Sequence, residues 1–316
     1  MSVDRFGVLL MTYGSPASLD DVERYLAAVR GGRAPEPELV TEFRRRYAVI
    51  GGSPLIPITI AQAAALEARL GGRSLVRAAM RFSEPSIETA LRELVAARVR
   101  EVVGIVLSPQ FSPLLMGGYA RAVEAAVEAI GAGAPAVTIR GAWHANRAFV
   151  EALASRIREA LASTGDAGMP VLLTAHSLPR RVAEQEPDYL AQLEQTARDV
   201  AEAAGLSPDR WRFCWQSAGH EPGEWMTPDF ADLMPALAAD GHRAVLVAPV
   251  QFLADHLEIL YDVDVGAREQ AEAAGLAFHR IASLNTHPGF IDALAEVAAG
   301  EMAVAEMAVG QAAGAR

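Results

Sequence analysis

Lysine is absent from this 316-residue chain; its 28 basic residues are all arginines, set against 39 acidic ones for a formal net charge of -11. A phosphate-cradling Gly-x-x-x-x-Gly-Lys-[Ser/Thr] loop is therefore excluded. The acidic balance argues against nucleic acid, whose phosphates need a basic surface. There is one cysteine, Cys214. It rules out a disulfide framework and an iron–sulfur cluster held by this chain's thiolates alone, and it makes a reducing compartment the default expectation. No apolar run approaches the ~20 residues that span a bilayer; the longest candidate, Ala244 to Ala254, contains Pro249 and Gln251. The start, Met1-Ser2-Val3-Asp4-Arg5, lacks the layout of a signal peptide. A cytoplasmic protein without a transmembrane segment is the expectation. Also missing are a Gly-x-Gly-x-x-Gly after the first apolar run, a Gly-x-Ser-x-Gly, a His-Glu-x-x-His and any paired Cys/His spacing. Dinucleotide binding, serine hydrolysis and a closed structural metal site lose their usual signals.

What the chain has is alternation. Short apolar runs read as buried parallel strands over Phe6–Met11, Leu75–Met80, Val102–Leu107, Ala136–Gly141, Val171–Ala175, Trp211–Trp215, Ala244–Val250 and Ala277–Ile281. Helical stretches lie between them: Leu19–Arg30, Pro37–Tyr47, Thr59–Leu70, Ser86–Ala97, Ala120–Ile130, Asn146–Ala162, Tyr189–Ala204, Asp229–Ala239, Asp255–Ala274 and His287–Met307. Ser18 with Asp21 predicts an N-cap for the first helix and Gly31-Gly32 its end. Strand–helix alternation means parallel sheets covered on both faces. Two sets of four strands predict two doubly wound α/β domains, 1–144 and 145–286, with a cleft between them. The helix over 287–307 is expected to pack back on the first domain, and 308–316 to be a disordered tail.

In open α/β sheets, ligands bind past the carboxyl ends of strands. Polar residues collect there: Thr12-Tyr13-Gly14-Ser15, Arg81-Phe82-Ser83, Ser108-Pro109-Gln110-Phe111-Ser112, His176-Ser177, Gln216-Ser217-Ala218-Gly219-His220 and Gln251-Phe252. His176 closes a wholly apolar run except for Thr174, so a rigid element delivers its imidazole to that edge. If Asp255 starts a helix, Asp255, Glu258 and Asp262 form one acidic stripe opposite Leu253, Leu257 and Leu260. A solvated helix face is the plain alternative for that stripe. Histidine and glutamate together could bind a divalent ion, but two ligands hold it loosely, as something passing through. The apolar loop runs Leu55-Ile56-Pro57-Ile58 and Leu114-Leu115-Met116 suggest a flat hydrophobic ligand or loops packed on their own cores.

The motifs Leu9-Leu10-Met11-Thr12-Tyr13-Gly14-Ser15-Pro16, Gly51-Gly52-Ser53-Pro54-Leu55, Thr174-Ala175-His176-Ser177-Leu178-Pro179, Trp215-Gln216-Ser217-Ala218-Gly219 and Asp255-His256-Leu257-Glu258-Ile259-Leu260-Tyr261-Asp262 occur in this order. Over about residues 6 to 295 the chain resembles the ferrochelatases, which insert ferrous iron into a porphyrin. The resemblance implies two flavodoxin-like, Rossmann-type halves around a porphyrin cleft. It implies that His176 and Glu258 are the catalytic, metal-facing pair. It implies substrate contacts from Tyr13, Arg30, Ser53, Gln110, Ser112, Tyr119, Trp215 and Gln216. Thr12-Tyr13-Gly14 stands where protoporphyrin users carry Asn-Leu-Gly. This is like the coproporphyrin III branch, in which Tyr13 becomes a ligand of the product iron. The paired arginines of that branch are matched by Arg30 alone, with Arg33 as a substitute. A protoporphyrin IX enzyme, another tetrapyrrole chelatase and a haem carrier remain the alternatives. No cofactor beyond the ferrous substrate and no iron–sulfur cluster is expected. The partners expected are porphyrin, iron and a transient handover to a later haem-pathway enzyme.

Overall fold

The computed structural model describes residues 6–72, 74–166, 168–218, 223–300 and 306–309, without the side chains of Leu115 and of 306–309. Gly219 and His220, two of the residues expected past the sixth strand, lie outside the described residues, as do 301–305 of the expected last helix and 310–316 of the expected tail. In chain order come β1 (Phe6–Thr12), α1 (Val22–Val29), α2 (Pro37–Val49), α3 (Leu55–Leu70), β2 (Ser74–Met80), α4 (Ile87–Ala96), β3 (Glu101–Val106), α5 (Pro113–Ile130) and β4 (Ala136–Arg140). Then follow α6 (Arg147–Thr164), β5 (Val171–His176), α7 (Arg180–Ala183), α8 (Pro187–Ala203), β6 (Trp211–Gln216), α9 (Phe230–Ala239) and β7 (Ala244–Pro249). A π-helix (Glu258–Ala267), α10 (Arg268–Ala273), β8 (Ala277–Arg280), α11 (Pro288–Ala299) and β9 (Glu306–Val309) complete the order.

The chain forms two compact units, one of residues up to Trp143 together with those from Phe290 onward, the other His144–Gly289. The first holds a sheet of order β2-β1-β3-β4-β9, in which β1 to β4 are parallel and β9 pairs antiparallel with β4. The second holds the parallel sheet β6-β5-β7-β8. Each unit thus repeats the flavodoxin-like order 2-1-3-4. In each, the strand order reverses between the central strand and its neighbour, β1 and β3 in one and β5 and β7 in the other. Such switch points open a crevice at the carboxyl ends of the strands.

The strands form where they do because both sheet faces are covered. In β1 every residue after Phe6 is buried, and in β5 every residue before His176. Leu172, Cys214, Val245 and Val247 face the layer of the π-helix and α10. Ala175 and Trp215 face α8 through Tyr189 and Leu193. At about 1.5–3 kcal/mol for each large apolar side chain buried, these two layers fix the strands far more firmly than local propensity does.

Several element boundaries differ from expectation. Leu55-Ile56-Pro57-Ile58 is no loop but the first turn of α3, and Leu114 to Met116 belong to the first turn of α5. Pro57 and Pro113 are tolerated there because first-turn N–H groups have no helical acceptor. Ser18 makes no side-chain cap; Asp21 instead accepts from the Ala17 N–H and pairs with Arg24. Gly31 and Gly32, at φ 67° and 86°, do end α1, with Gly32 N–H donating to Ala27 O. The last helix stops at Ala299, where Gly300 takes φ 71°, and Glu306–Val309 pairs with β4 rather than continuing a helix or starting a disordered tail.

Candidate active site

His176 is the last residue of β5, and Gln251 follows β7 across the switch point. The His176 N–H donates to Gln251 Oε1 at 2.7 Å, and Gln251 Nε2 donates to the Tyr189 hydroxyl at 2.5 Å. The fold's topology therefore fixes the histidine backbone. Its ring is fixed separately. Nδ1 lies 2.6 Å from the Ser177 carbonyl oxygen, an acceptor only, so in the neutral imidazole Nδ1 carries the hydrogen and Nε2 carries the lone pair. The ring of Phe252 packs edge-on against it, with centroids 6.4 Å apart.

That free Nε2 faces Glu258 Oε2 at 3.8 Å. A second imidazole approaches the same oxygen: His256 Nε2 lies 3.7 Å away, and His256 Nδ1 is oriented by the Ala254 carbonyl at 2.9 Å. Burial alone would raise the Glu258 carboxyl, but His176 and His256 outweigh it and hold the group well below the ordinary carboxylate range. For His256, burial works against the charge and the Glu258 carboxylate more than offsets it, so its pKa is raised. The 3.8 Å between Nε2 and Oε2 is short enough for both to bind one first-row divalent ion at about 2.1 Å each. Among the described residues, no group of three or more His, Cys, Asp or Glu side chains is arranged to hold a metal ion. His256 was missed as a site residue in the sequence because it reads there as one letter of a motif; only the fold turns both imidazoles toward one carboxylate.

Glu258 opens the π-helix, not an α-helix as its sequence suggests. The buried positions are Ile259, Val263, Ala267 and, in α10, Ala271, four residues apart throughout. The series runs from the π-helix into α10 without a break, and π-turns recur at functional sites. Leu257 and Leu260, expected on the buried face, are only half-buried. Asp255 is no solvated stripe residue either. Its carboxylate accepts from Ser283 Oγ at 2.7 Å and Asn285 Nδ2 at 2.8 Å and faces Arg280 at 3.5 Å. Arg280 also grips Asp264 of the π-helix with two bonds, 2.7 and 2.9 Å. One guanidinium at the end of β8 thus ties the π-helix to the segment before it.

In the first unit, Tyr13 follows β1 at the other switch point and is 42% exposed, unlike the buried residues before it. Its ring meets Phe82 edge-on at 4.7 Å. Tyr119 of α5 is buried, which pushes its hydroxyl pKa up. Arg30 is exposed at the end of α1, and Arg33 Nε donates to its carbonyl. Ser53 is half-buried, and its Oγ accepts from Leu55 N–H at the start of α3. Gln110, Ser112, Trp215 and Gln216 are enclosed, at 0%, 1%, 4% and 0% exposure. Trp215 packs on Phe213, and Gln216 Oε1 accepts from Thr174 Oγ1 at 2.5 Å, tying β6 to β5. The resemblance implies ligand contacts from these strand-end residues; in this structure they also pack into the core.

The ferrochelatase family profile matches residues 5–302. A ferrochelatase of Herpetosiphon aurantiacus is 38% identical over 302 residues, covering 93% of this chain and 98% of that protein. A coproporphyrin III ferrochelatase of a Geobacillus species is 36% identical over 307 residues, covering 94% and 98%. Among solved structures, SirB from Bacillus subtilis with Fe3+ superposes with a TM-score of 0.58 at 12% identity, over 94% of this chain and 97% of that one, which speaks for the fold.

Replacing Arg280 with methionine leaves Asp255 and Asp264 without their cation. A mostly buried pair broken on one side costs up to about 3–5 kcal/mol, so the melting temperature should fall by roughly 5 °C or more. The double variant D264N/R280M should recover part of that loss in a thermal melt; strictly additive losses would show that the two side chains are not coupled.

Proposed function

The chain belongs to the ferrochelatase family, and from that premise we propose that it inserts ferrous iron into coproporphyrin III, giving coproheme in haem biosynthesis. The observation that carries this reading is the bare Nε2 of His176 held 3.8 Å from the Glu258 carboxylate. Metallation removes two inner N–H protons from the porphyrin. A base with a fixed lone pair suits that task, and the Ser177 carbonyl fixes it. Once Nε2 takes the first proton, the imidazolium faces Glu258 and passes that proton by way of the carboxylate to water, which frees the base for the second. The same carboxylate, between two imidazoles, attracts the ferrous ion and offers an oxygen to replace its water. Bending of the porphyrin, driven by binding energy elsewhere on the ring, would tilt the pyrrole lone pairs out of plane toward the metal.

The preference for coproporphyrin III over protoporphyrin IX is supported by the name of the Geobacillus relative and by exposed Tyr13 at the end of β1, proposed as the ligand of the product iron. The reading needs no resident cofactor and no iron–sulfur cluster; Cys214 is buried in the second unit's core. Among the described residues no helix is long and apolar enough to cross a membrane. We place the reaction in the cytoplasm, with coproheme passed on to the enzyme that next modifies it.

Two measurements test this. His176→Ala should lower anaerobic iron insertion by about 100- to 10,000-fold, the span of a general base, while the porphyrin still binds; turnover near the wild-type rate would remove the base assignment. In parallel assays, coproporphyrin III, with four propionates, should exceed protoporphyrin IX, with two, by roughly tenfold or more in kcat/KM, because each well-placed charge pair is worth about that factor. Equal or reversed values would transfer the chain to the protoporphyrin users.

A further inference from the structure

Arg81 follows β2 at its carboxyl end and is half-buried. Three rings from three segments surround its guanidinium: the carbon lies 4.5 Å from the Phe82 ring centroid, 5.6 Å from Tyr119 and 5.9 Å from Tyr13. The fourth side is backbone. A Cβ on Gly118 of α5 would come within 2.2 Å of the guanidinium carbon, so the cation lies directly against the backbone of that helix. The cation is thus seated by the shape of the protein around it.

Its donors are another matter. Ring contacts engage the face of a guanidinium, whereas its five N–H groups point outward in the plane. Among the described residues no carboxylate lies within ion-pair distance of Arg81, and its side chain makes no hydrogen bond. Other half-buried arginines of this acidic chain are matched: Arg46 with Glu42, Arg77 with Glu67 and Glu93, Arg280 with Asp264. An oriented cation with open in-plane donors, beside Tyr13, has the form of a receptor for a planar anion, which a carboxylate fills bidentately.

We propose that Arg81 is a substrate-binding residue whose guanidinium pairs with one propionate carboxylate of the porphyrin. This rests on the porphyrin reading above. The aromatic seat removes rotamer freedom before binding, so little ordering remains to oppose the pair. Lysine, a compact charge on a flexible stem, would reproduce the charge and not the fork.

The test is fluorescence titration of wild type, Arg81→Gln and Arg81→Lys with coproporphyrin III and, in the same detergent buffer, with its tetramethyl ester; thermal melts verify that each variant is folded. Arg81→Gln should weaken coproporphyrin III binding roughly tenfold or more, with Arg81→Lys in between, and both should bind the ester as wild type does. Unchanged affinity of Arg81→Gln for the free acid would overturn the pairing, as would equal loss for acid and ester, which would show that Arg81 only shapes the pocket. A wild type that metallates coproporphyrin III while Arg81→Gln binds it normally sinks the pairing alone. A wild type that neither binds nor metallates any porphyrin sinks the porphyrin reading, and the pairing with it.

Discussion

The hydrogen bond from His176 Nδ1 to the Ser177 carbonyl, 2.6 Å long, decides which nitrogen of the imidazole can act. A carbonyl cannot donate, so the neutral ring is left with its lone pair on Nε2, toward Glu258. His256 repeats the arrangement, with Nδ1 on the Ala254 carbonyl and Nε2 toward the same oxygen. Two backbone carbonyls therefore orient two imidazoles, and one carboxylate lies between them. The chemistry assigned to this site follows from those orientations.

Their supports can be traced outward. Gln251 holds the His176 backbone across the β5–β7 switch point and is itself tied to buried Tyr189. Glu258 is placed by a π-helix whose every fourth residue enters the core and whose Asp264 is clamped by Arg280. The first unit uses the same strand order to present Tyr13 at its own switch point, beside an arginine seated among three rings. One topology, used twice, accounts for where the polar groups collect.

The eight parallel strands were legible because buried parallel strands are unbroken apolar runs bounded by turns, and each expected strand matches an observed one to within a residue or so. His176 and Glu258 were legible for the same reason: one ends such a run, and the other follows one closely. The starts of α3 and α5 were not, because Pro57 and Pro113 look like breaks although a first turn accepts proline, and because Gly117-Gly118 lowers the helical signal of α5. Gly118 lets Arg81 lie against the helix backbone, a spatial relation that no local window contains. The π-helix was hidden by its period, since a spacing of four is also compatible with a mixed α-helical pattern over one or two turns. Asp255 reads as a surface acid in sequence because its partners Arg280, Ser283 and Asn285 come 25 or more residues later.

The central claim is that Nε2 of neutral His176 is unprotonated and free to take a proton. Nitrogen-15 NMR of histidine-labelled protein, assigned by comparison with a His176→Asn variant, reads the tautomer directly at a pH where the ring is neutral. The account predicts protonated Nδ1 and bare Nε2 for this residue. A His176 resonance pair showing the hydrogen on Nε2 would contradict it, since that nitrogen would then have no lone pair to offer a pyrrole proton or an iron ion.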